Sequence, residues 1–386
     1  MTRLRAGLAL VCCAAFTSPA AGQSFLARQG LGYTVEPLDA RARALGGVGL
    51  GLSGVNLSLT NPAGIAGVPA AAFLVGFQFD RTETDAGAGT AAGRLPRFPV
   101  IHAALPLGQR WAISVGYGGF LDQSWASEVQ DTLPGLRGEP TLVRDRFASR
   151  GGVARLRVGG ARTFGERFAL GLAADVFTGV VRDSLFREFP DTATGLFLGP
   201  ALSLSERSYG GVGFAAGARW TPSEALNVAA SVSGGGRLRA EGPEGERSYS
   251  LPFSGAVGAS GRVARRTLVA ASGSWTGWAA AENDVAQAEG VRDVWALSAG
   301  VEQELAGRLE RAYPLRLGVR YAMLPFALGN GAFPTERALT GGLGARLAGG
   351  AALLDFGGER GQRDAGGSAF QENFWRFSAS LTVLGR

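Results

Sequence analysis

His102 is the only histidine among 386 residues, so it is the one side chain suited by type to proton transfer near neutral pH. A serine-histidine-acid hydrolase built on this chain would have to use it. It sits between Ile101 and Ala103 in an apolar, strand-like stretch, where a structural role is the expectation. Both cysteines, Cys12 and Cys13, fall within the first 22 residues, and the chain has no lysine. A Cys/His zinc cluster and a GxxxxGK[ST] phosphate loop are thereby excluded. The acidic pairs Glu302/Glu304 and Asp355/Glu359 read as solvated strand ends, with lumenal carboxylates as the alternative. No catalytic residue, cofactor or metal is expected, and the chain reads as a non-enzyme.

The elements that carry these residues are strands. From Ala71 onward large apolar residues alternate with small, polar or arginine residues. Phe73, Val75, Phe77 and Phe79 oppose Leu74, Gly76, Gln78 and Asp80. Trp111, Ile113, Val115 and Tyr117 oppose Ala112, Ser114, Gly116 and Gly118. The same period of two recurs through Trp375, Phe377, Ala379 and Leu381. This alternation alone fits a sandwich with its apolar face inside or a membrane barrel with that face outside.

The connections discriminate. Short links near 107–110, 165–167, 221–225, 264–266, 307–311 and 348–350 alternate with long polar links at 81–96, 122–145, 183–206, 241–248, 280–291, 327–335 and 362–370. Short periplasmic turns and long extracellular loops give that asymmetry, and about 14 strands result. Trp111, Phe164, Phe168, Trp220 and Tyr313 collect at the short-turn ends, as an interfacial aromatic girdle would. Residues 1–22 read as a signal peptide, with Arg3 and Arg5, an apolar run over 8–16 and small residues before cleavage after Gly22. No later stretch reaches the ~20 apolar residues of a membrane helix, which leaves a closed barrel. The expected divisions are signal peptide 1–22, an N-terminal plug 23–70 and an all-β transmembrane antiparallel barrel 71–386.

The formal charge is +6 and every basic residue is arginine. The arginines are scattered singly, which points away from nucleic acid. In the strand register Arg155, Arg157, Arg219, Arg237, Arg239, Arg316, Arg320, Arg346 and Arg376 project inward, against Asp175, Glu302, Glu304, Asp355 and Glu359. A net positive lumen is the expectation.

The segment Ala40-Arg41-Ala42-Arg43-Ala44-Leu45-Gly46-Gly47-Val48-Gly49, followed by Asn61-Pro62-Ala63-Gly64-Ile65-Ala66, resembles the hatch of FadL-type outer-membrane channels for long-chain fatty acids and other hydrophobic compounds. In physical terms Asn61, Pro62, Ala63 and Gly64 form a rigid turn, with Gly64 free to adopt positive φ. The resemblance implies a 14-stranded barrel with the hatch in its lumen, in the cell outer membrane. It implies passive uptake of a hydrophobic ligand such as a fatty acid, and a lateral exit at an early strand, where Gly116, Gly118 and Gly119 cluster. Implied partners are the lipid bilayer, the ligand and the barrel-assembly machinery during biogenesis. The C-terminus, Leu384-Gly385-Arg386, departs from the terminal aromatic usual for such barrels. Two other classes share the barrel: a structural or type IX secretion-associated barrel that binds protein partners, and a general porin.

Overall fold

The structure is a computed structural model. It describes residues 24–85, 90–134, 140–189, 199–285, 290–306, 312–368 and 370–385. The signal-peptide reading of residues 1–22 lies outside the described residues.

Strands dominate because the period-two pattern is sustained and β-bulges are few. In chain order they are β1 (Tyr33–Thr34), β2 (Ala72–Asp85), β3 (Thr90–Leu107), β4 (Trp111–Asp122), β5 (Trp125–Pro134), β6 (Pro140–Phe164), β7 (Phe168–Glu188), β8 (Ala201–Ser223) and β9 (Leu226–Gly242). They continue with β10 (Gly245–Ser250), β11 (Ser254–Ala264), β12 (Thr267–Thr276), β13 (Val294–Ala306), β14 (Ala312–Met323), β15 (Thr335–Leu347), β16 (Ala352–Asp364) and β17 (Gln371–Leu384). All pairings are antiparallel. Strand β17 returns to β2, from Leu384↔Ala72 to Gln371↔Asp85, and closes the wall. Among the described residues fourteen strands form it, with β5 and β10 as hairpin extensions of β6 and β9 and with β1 resting against the top of β4.

Closure pairs each wall strand with a neighbour on both sides through the membrane-facing part of the wall, as a bilayer demands, apart from the upper halves of β3 and β4. The choice left open by alternation falls to the membrane. Leu172 is 70% exposed and Val212 65%, whereas their inward neighbours Ala169, Asp175 and Ala215 are buried. Apolar side chains cover the exterior continuously, an area no soluble monomer exposes. Trp111, Phe164, Phe168, Trp220 and Tyr313 are all exposed beside the short turns.

The long connections are mostly not loops. Strands β6, β7 and β8 have 25, 21 and 23 residues, so the segments read as links around 122–145 and 183–206 extend the strands beyond the bilayer. Arg237 and Arg239, expected in the lumen, belong to this extension. They pair with β10 and are solvent-exposed above the membrane, near Asp284 and Glu246.

Candidate functional site: the lumen and the N-terminal segment

Residues 24–68 contain little regular structure, yet most of their apolar side chains are buried. Their polar backbone needs partners, and the inward side chains of the wall supply them. Arg157 donates to the Leu59 carbonyl at 2.6 Å, Arg219 to Ala66 at 2.7 Å, Ser260 to Gly51 at 2.6 Å and Asn227 to Gly51 and Leu52. His102 Nδ1 donates to the Leu57 carbonyl at 2.6 Å. The lone histidine thus has a structural bond to the segment.

The alanine-arginine stretch forms helix α1 (Ala40–Ala44), capped by Asp39, whose Oδ1 accepts from Ala42 N at 2.7 Å. Ala42 and Ala44 are fully buried, and the wall glycine Gly342 leaves room for Ala44. Arg41 and Arg43 leave the helix for carboxylates: Arg41 meets Glu302 at 2.9 Å and Arg43 meets Glu36 at 3.1 Å. In the second motif Asn61 caps a 3₁₀ turn, Pro62–Ile65, rather than a β-turn. Gly64 does not need positive φ. A Cβ there would stand 3.0 Å from the Asn56 carbonyl oxygen, and the left-handed residue is Gly67.

The expected positive excess of the lumen is largely cancelled by pairing. Arg157 holds Asp175 through two nitrogens at 2.7 Å. Arg316 joins Glu302 and Asp355, Arg320 joins Glu36 and Glu336, and Arg376 joins Asp80 and Glu359. Glu302, Asp355 and Glu359 are therefore buried ion-pair partners, not solvated strand ends. Glu304 alone stays near the rim, where Arg346 meets it at 2.7 Å. Sequence reading missed Arg363, Glu336 and Glu372. Arg363 meets both acids, and Tyr33 donates to Glu336 at 2.9 Å. The signal was present: Asp355, Glu359 and Arg363 recur every four residues on one strand face. Among the described residues of the lumen two cations stand apart. Arg155 lies 4.0 Å from Asp175, with its buried Nε unpartnered, and Arg219 reaches only a backbone oxygen.

Gly116, Gly118 and Gly119 lie where the segment touches β4. A Cβ at these positions would meet Leu59 at 2.6 Å, Pro37 at 2.8 Å and Val35 at 2.6 Å. Pairing between β3 and β4 ends at Val100↔Gly118. On the β6 side it continues to Gly119, then shifts register before Leu121. Above that point β1 occupies the top of β4, with Tyr33↔Asp122 and Thr34↔Leu121, and Val35 N donates to the Phe120 carbonyl at 2.8 Å. Val35 lines two cavities. One, about 210 Å³, lies between segment and wall and is bordered by Leu38, Leu50, Leu59, Phe120 and Arg155. The other, about 500 Å³, is an outer groove between β3 and β6 bordered by Phe98, Pro99, Tyr117 and Val153. At the extracellular mouth Phe177, Trp278 and Phe326 are buried in an aromatic cluster with the half-buried Phe120, which stacks on Trp278.

A closed fourteen-stranded wall with an apolar exterior and a lumen of paired charges defines an outer-membrane β-barrel of the FadL-type fold. Solved structures share it. A FadL homologue of Pseudomonas aeruginosa is 13% identical, with 92% of this chain and 99% of that chain covered and a TM-score of 0.58. The toluene transporter TodX of P. putida is 16% identical, with coverage of 90% and 98% and a TM-score of 0.59. The monoaromatic hydrocarbon channel CymD is 17% identical, with coverage of 92% and 98% and a TM-score of 0.56. The sequence matches the BamG family model over residues 4–241, and the chain belongs to that family. No curated protein matches it.

Proposed function

We propose that this barrel is a passive channel for hydrophobic small molecules, long-chain fatty acids among them, with residues 23–70 acting as its hatch. The observation that carries the reading is the break in pairing above Val100 and Gly118, stoppered by Val35 between an inner cavity and an outer groove. A ligand that enters past the aromatic cluster leaves sideways once Val35 withdraws, and Gly116, Gly118 and Gly119 give the segment room at that wall. The hydrocarbon-channel neighbours support the class of ligand. Arg155, short of a carboxylate partner at the inner cavity, suits an anionic head group. Uptake of a fluorescent long-chain fatty acid into liposomes tests this. Val35→Ala should accelerate entry and Val35→Trp should slow it, and equal rates in all three proteins would overturn the lateral route.

One observation favours a second reading, a static barrel that serves a protein partner. Glu36 is clamped between Arg43 and Arg320, and Arg41 is tied to Glu302, so ion pairs fasten the segment at two levels. Absence of uptake by every variant, with the segment protected from protease, would select it.

A further inference from the structure

The outward face of the barrel carries cations at one level only over part of its circumference. On β2 the exposed apolar series begins at Phe73 and passes Phe77, and the next outward exposed residue above Phe79 is Arg81. On β3 the outward Phe98 and Pro96 give way to Arg94. On β15 Leu339, 68% exposed, gives way to Arg337. On β16 Phe356 is followed outward by Gly358 and then Arg360. These four strands surround β17, whose outward Trp375 marks the same boundary. The ladder puts them in contact: Arg94 pairs with Arg81, Arg81 with Trp375, and Trp375 with Arg360.

This arrangement is costly by itself. Like charges directly opposed across a ladder repel, and Arg94 faces Arg81 in that way. Among the described residues Arg94 and Arg337 have no ion-pair partner. Arg360 lies over the Trp375 ring at 5.2 Å and donates to the Phe374 carbonyl, and Arg81 meets only the exposed Glu83, at 2.9 Å. Asp85 and Asp364 lie farther out, toward the hairpin tips. The inward arginines of the same strands are treated differently, since Arg363 and Arg376 each hold two carboxylates. Outward arginines also oppose one another on β6 and β7, where Arg150 faces Arg182, but there Arg182 is held by Glu206 at 2.7 Å and only two cations meet.

A lipid-facing arginine costs roughly 2–4 kcal/mol at mid-bilayer and about 0–1 kcal/mol at the interface. These four stand where the apolar face stops, on the side of the long hairpins, hence at the outer-leaflet head groups. Clustered cations beside an interfacial aromatic ring recognise anionic lipid heads, and guanidinium groups bind phosphate through paired hydrogen bonds. We propose that Arg81, Arg94, Arg337 and Arg360, with Trp375, form a binding patch for the phosphorylated glycolipid of the outer leaflet. Its phosphates would fill the space between the opposed arginines, and its acyl chains would lie along Phe77, Phe356 and Phe377. The inference rests on the outer-membrane placement and is independent of what the lumen conducts.

The test uses the full mature chain, purified in detergent, with bisphosphorylated lipid A as probe and phosphatidylglycerol as the anionic comparison, read by native mass spectrometry. The wild type should retain lipid A at least tenfold better than phosphatidylglycerol. Arg81→Gln, Arg94→Gln, Arg337→Gln and Arg360→Gln combined should lower lipid A retention about tenfold, with heat-modifiable migration on gels preserved. Undiminished retention by this variant, or equal retention of the two lipids by the wild type, overturns the proposal. If the combined variant loses heat-modifiable migration, Arg94→Gln and Arg337→Gln singly decide, because neither side chain has an ion-pair partner to lose. Each should still weaken lipid A retention, and wild-type values for both would overturn the patch.

Discussion

Gly217 of β8 lies directly against Asn61: a Cβ on the glycine would overlap Asn61 Oδ1 and stand 3.2 Å from Pro62 Cδ. Asn61 spends that oxygen on Ala63 N at 2.9 Å and its amide on the Ala218 carbonyl at 3.2 Å. The wall therefore meets the Asn-Pro-Ala-Gly turn as backbone against side chain, with no charge involved.

Two substitutions should loosen that contact. Asn61→Ala removes a cap, worth roughly 1 kcal/mol. Gly217→Val overpacks the site, at about 1–3 kcal/mol. Both should lower the temperature at which the heat-modifiable band converts and should expose residues 56–68 to protease. An unchanged conversion temperature for Gly217→Val would mean the turn is not seated on β8.

Arg157 offers a sharper case. It holds Asp175 through two nitrogens and the Leu59 carbonyl through the third. Arg157→Met strands a buried carboxylate, and breaking such a pair costs about 3–5 kcal/mol. Arg157→Met combined with Asp175→Leu should recover much of the loss, because the stranded carboxylate is gone and Arg155, only 4.0 Å from it at best, loses little. Thermal unfolding of the two variants in one detergent measures this. A double variant as unstable as the single would show that Leu59 anchoring, not the charge, dominates.

The barrel was legible because alternation sets which face each residue takes, and because short and long connections fix the sidedness. What escaped the sequence was the reason for many glycines. Gly119 read as part of a lateral exit and Gly217 only as a small residue of an alternating strand, yet each makes room for a residue far away in the chain, Val35 or Asn61. Nothing local signals such contacts. The lumenal charge failed for a related reason. The register put Arg316 and Arg376 inward, but their partners Asp355 and Asp80 sit two strands away or across the barrel seam, and pairing depends on tilt and stagger that periodicity does not carry.

Above the membrane, Asp284 ends the 3₁₀ helix Trp278–Asp284 and accepts from both the hydroxyl and the amide of Ser250 at 2.7 Å. Those hydrogen bonds, the side-chain one first, hold its carboxyl below the ordinary value of 3.8. A depressed folded-state pKa gives stability that is present above the ordinary value and is lost as pH falls through the folded one. The helix should therefore stay docked on β10 at neutral pH and loosen only below about pH 4. Hydrogen exchange at the Ser250 amide should accelerate in that window. Asp284→Asn should show faster exchange at neutral pH and no acid step. A wild-type exchange rate in Asp284→Asn would remove Asp284 as the tether.

Ion selectivity tests the charge balance of the lumen. Arg316, Arg320 and Arg376 are matched by carboxylates, so their fields cancel within a few ångströms. Of the two cations left short, Arg155 lies beside the inner cavity, while Arg157 next to it is neutralised by Asp175. Focused charge in a low-dielectric channel governs which ions enter. In planar bilayers any residual conductance of the wild type should favour anions only slightly. Asp175→Asn unmasks Arg157 and should raise the anion preference severalfold, whereas Arg155→Gln should abolish it. The two variants move charge at the same site in opposite directions, so a shift of the reversal potential in the same direction for both would show that ions pass elsewhere. A strong cation preference in the wild type would show that the rim carboxylates, Glu304 among them, set selectivity in place of the inner arginines.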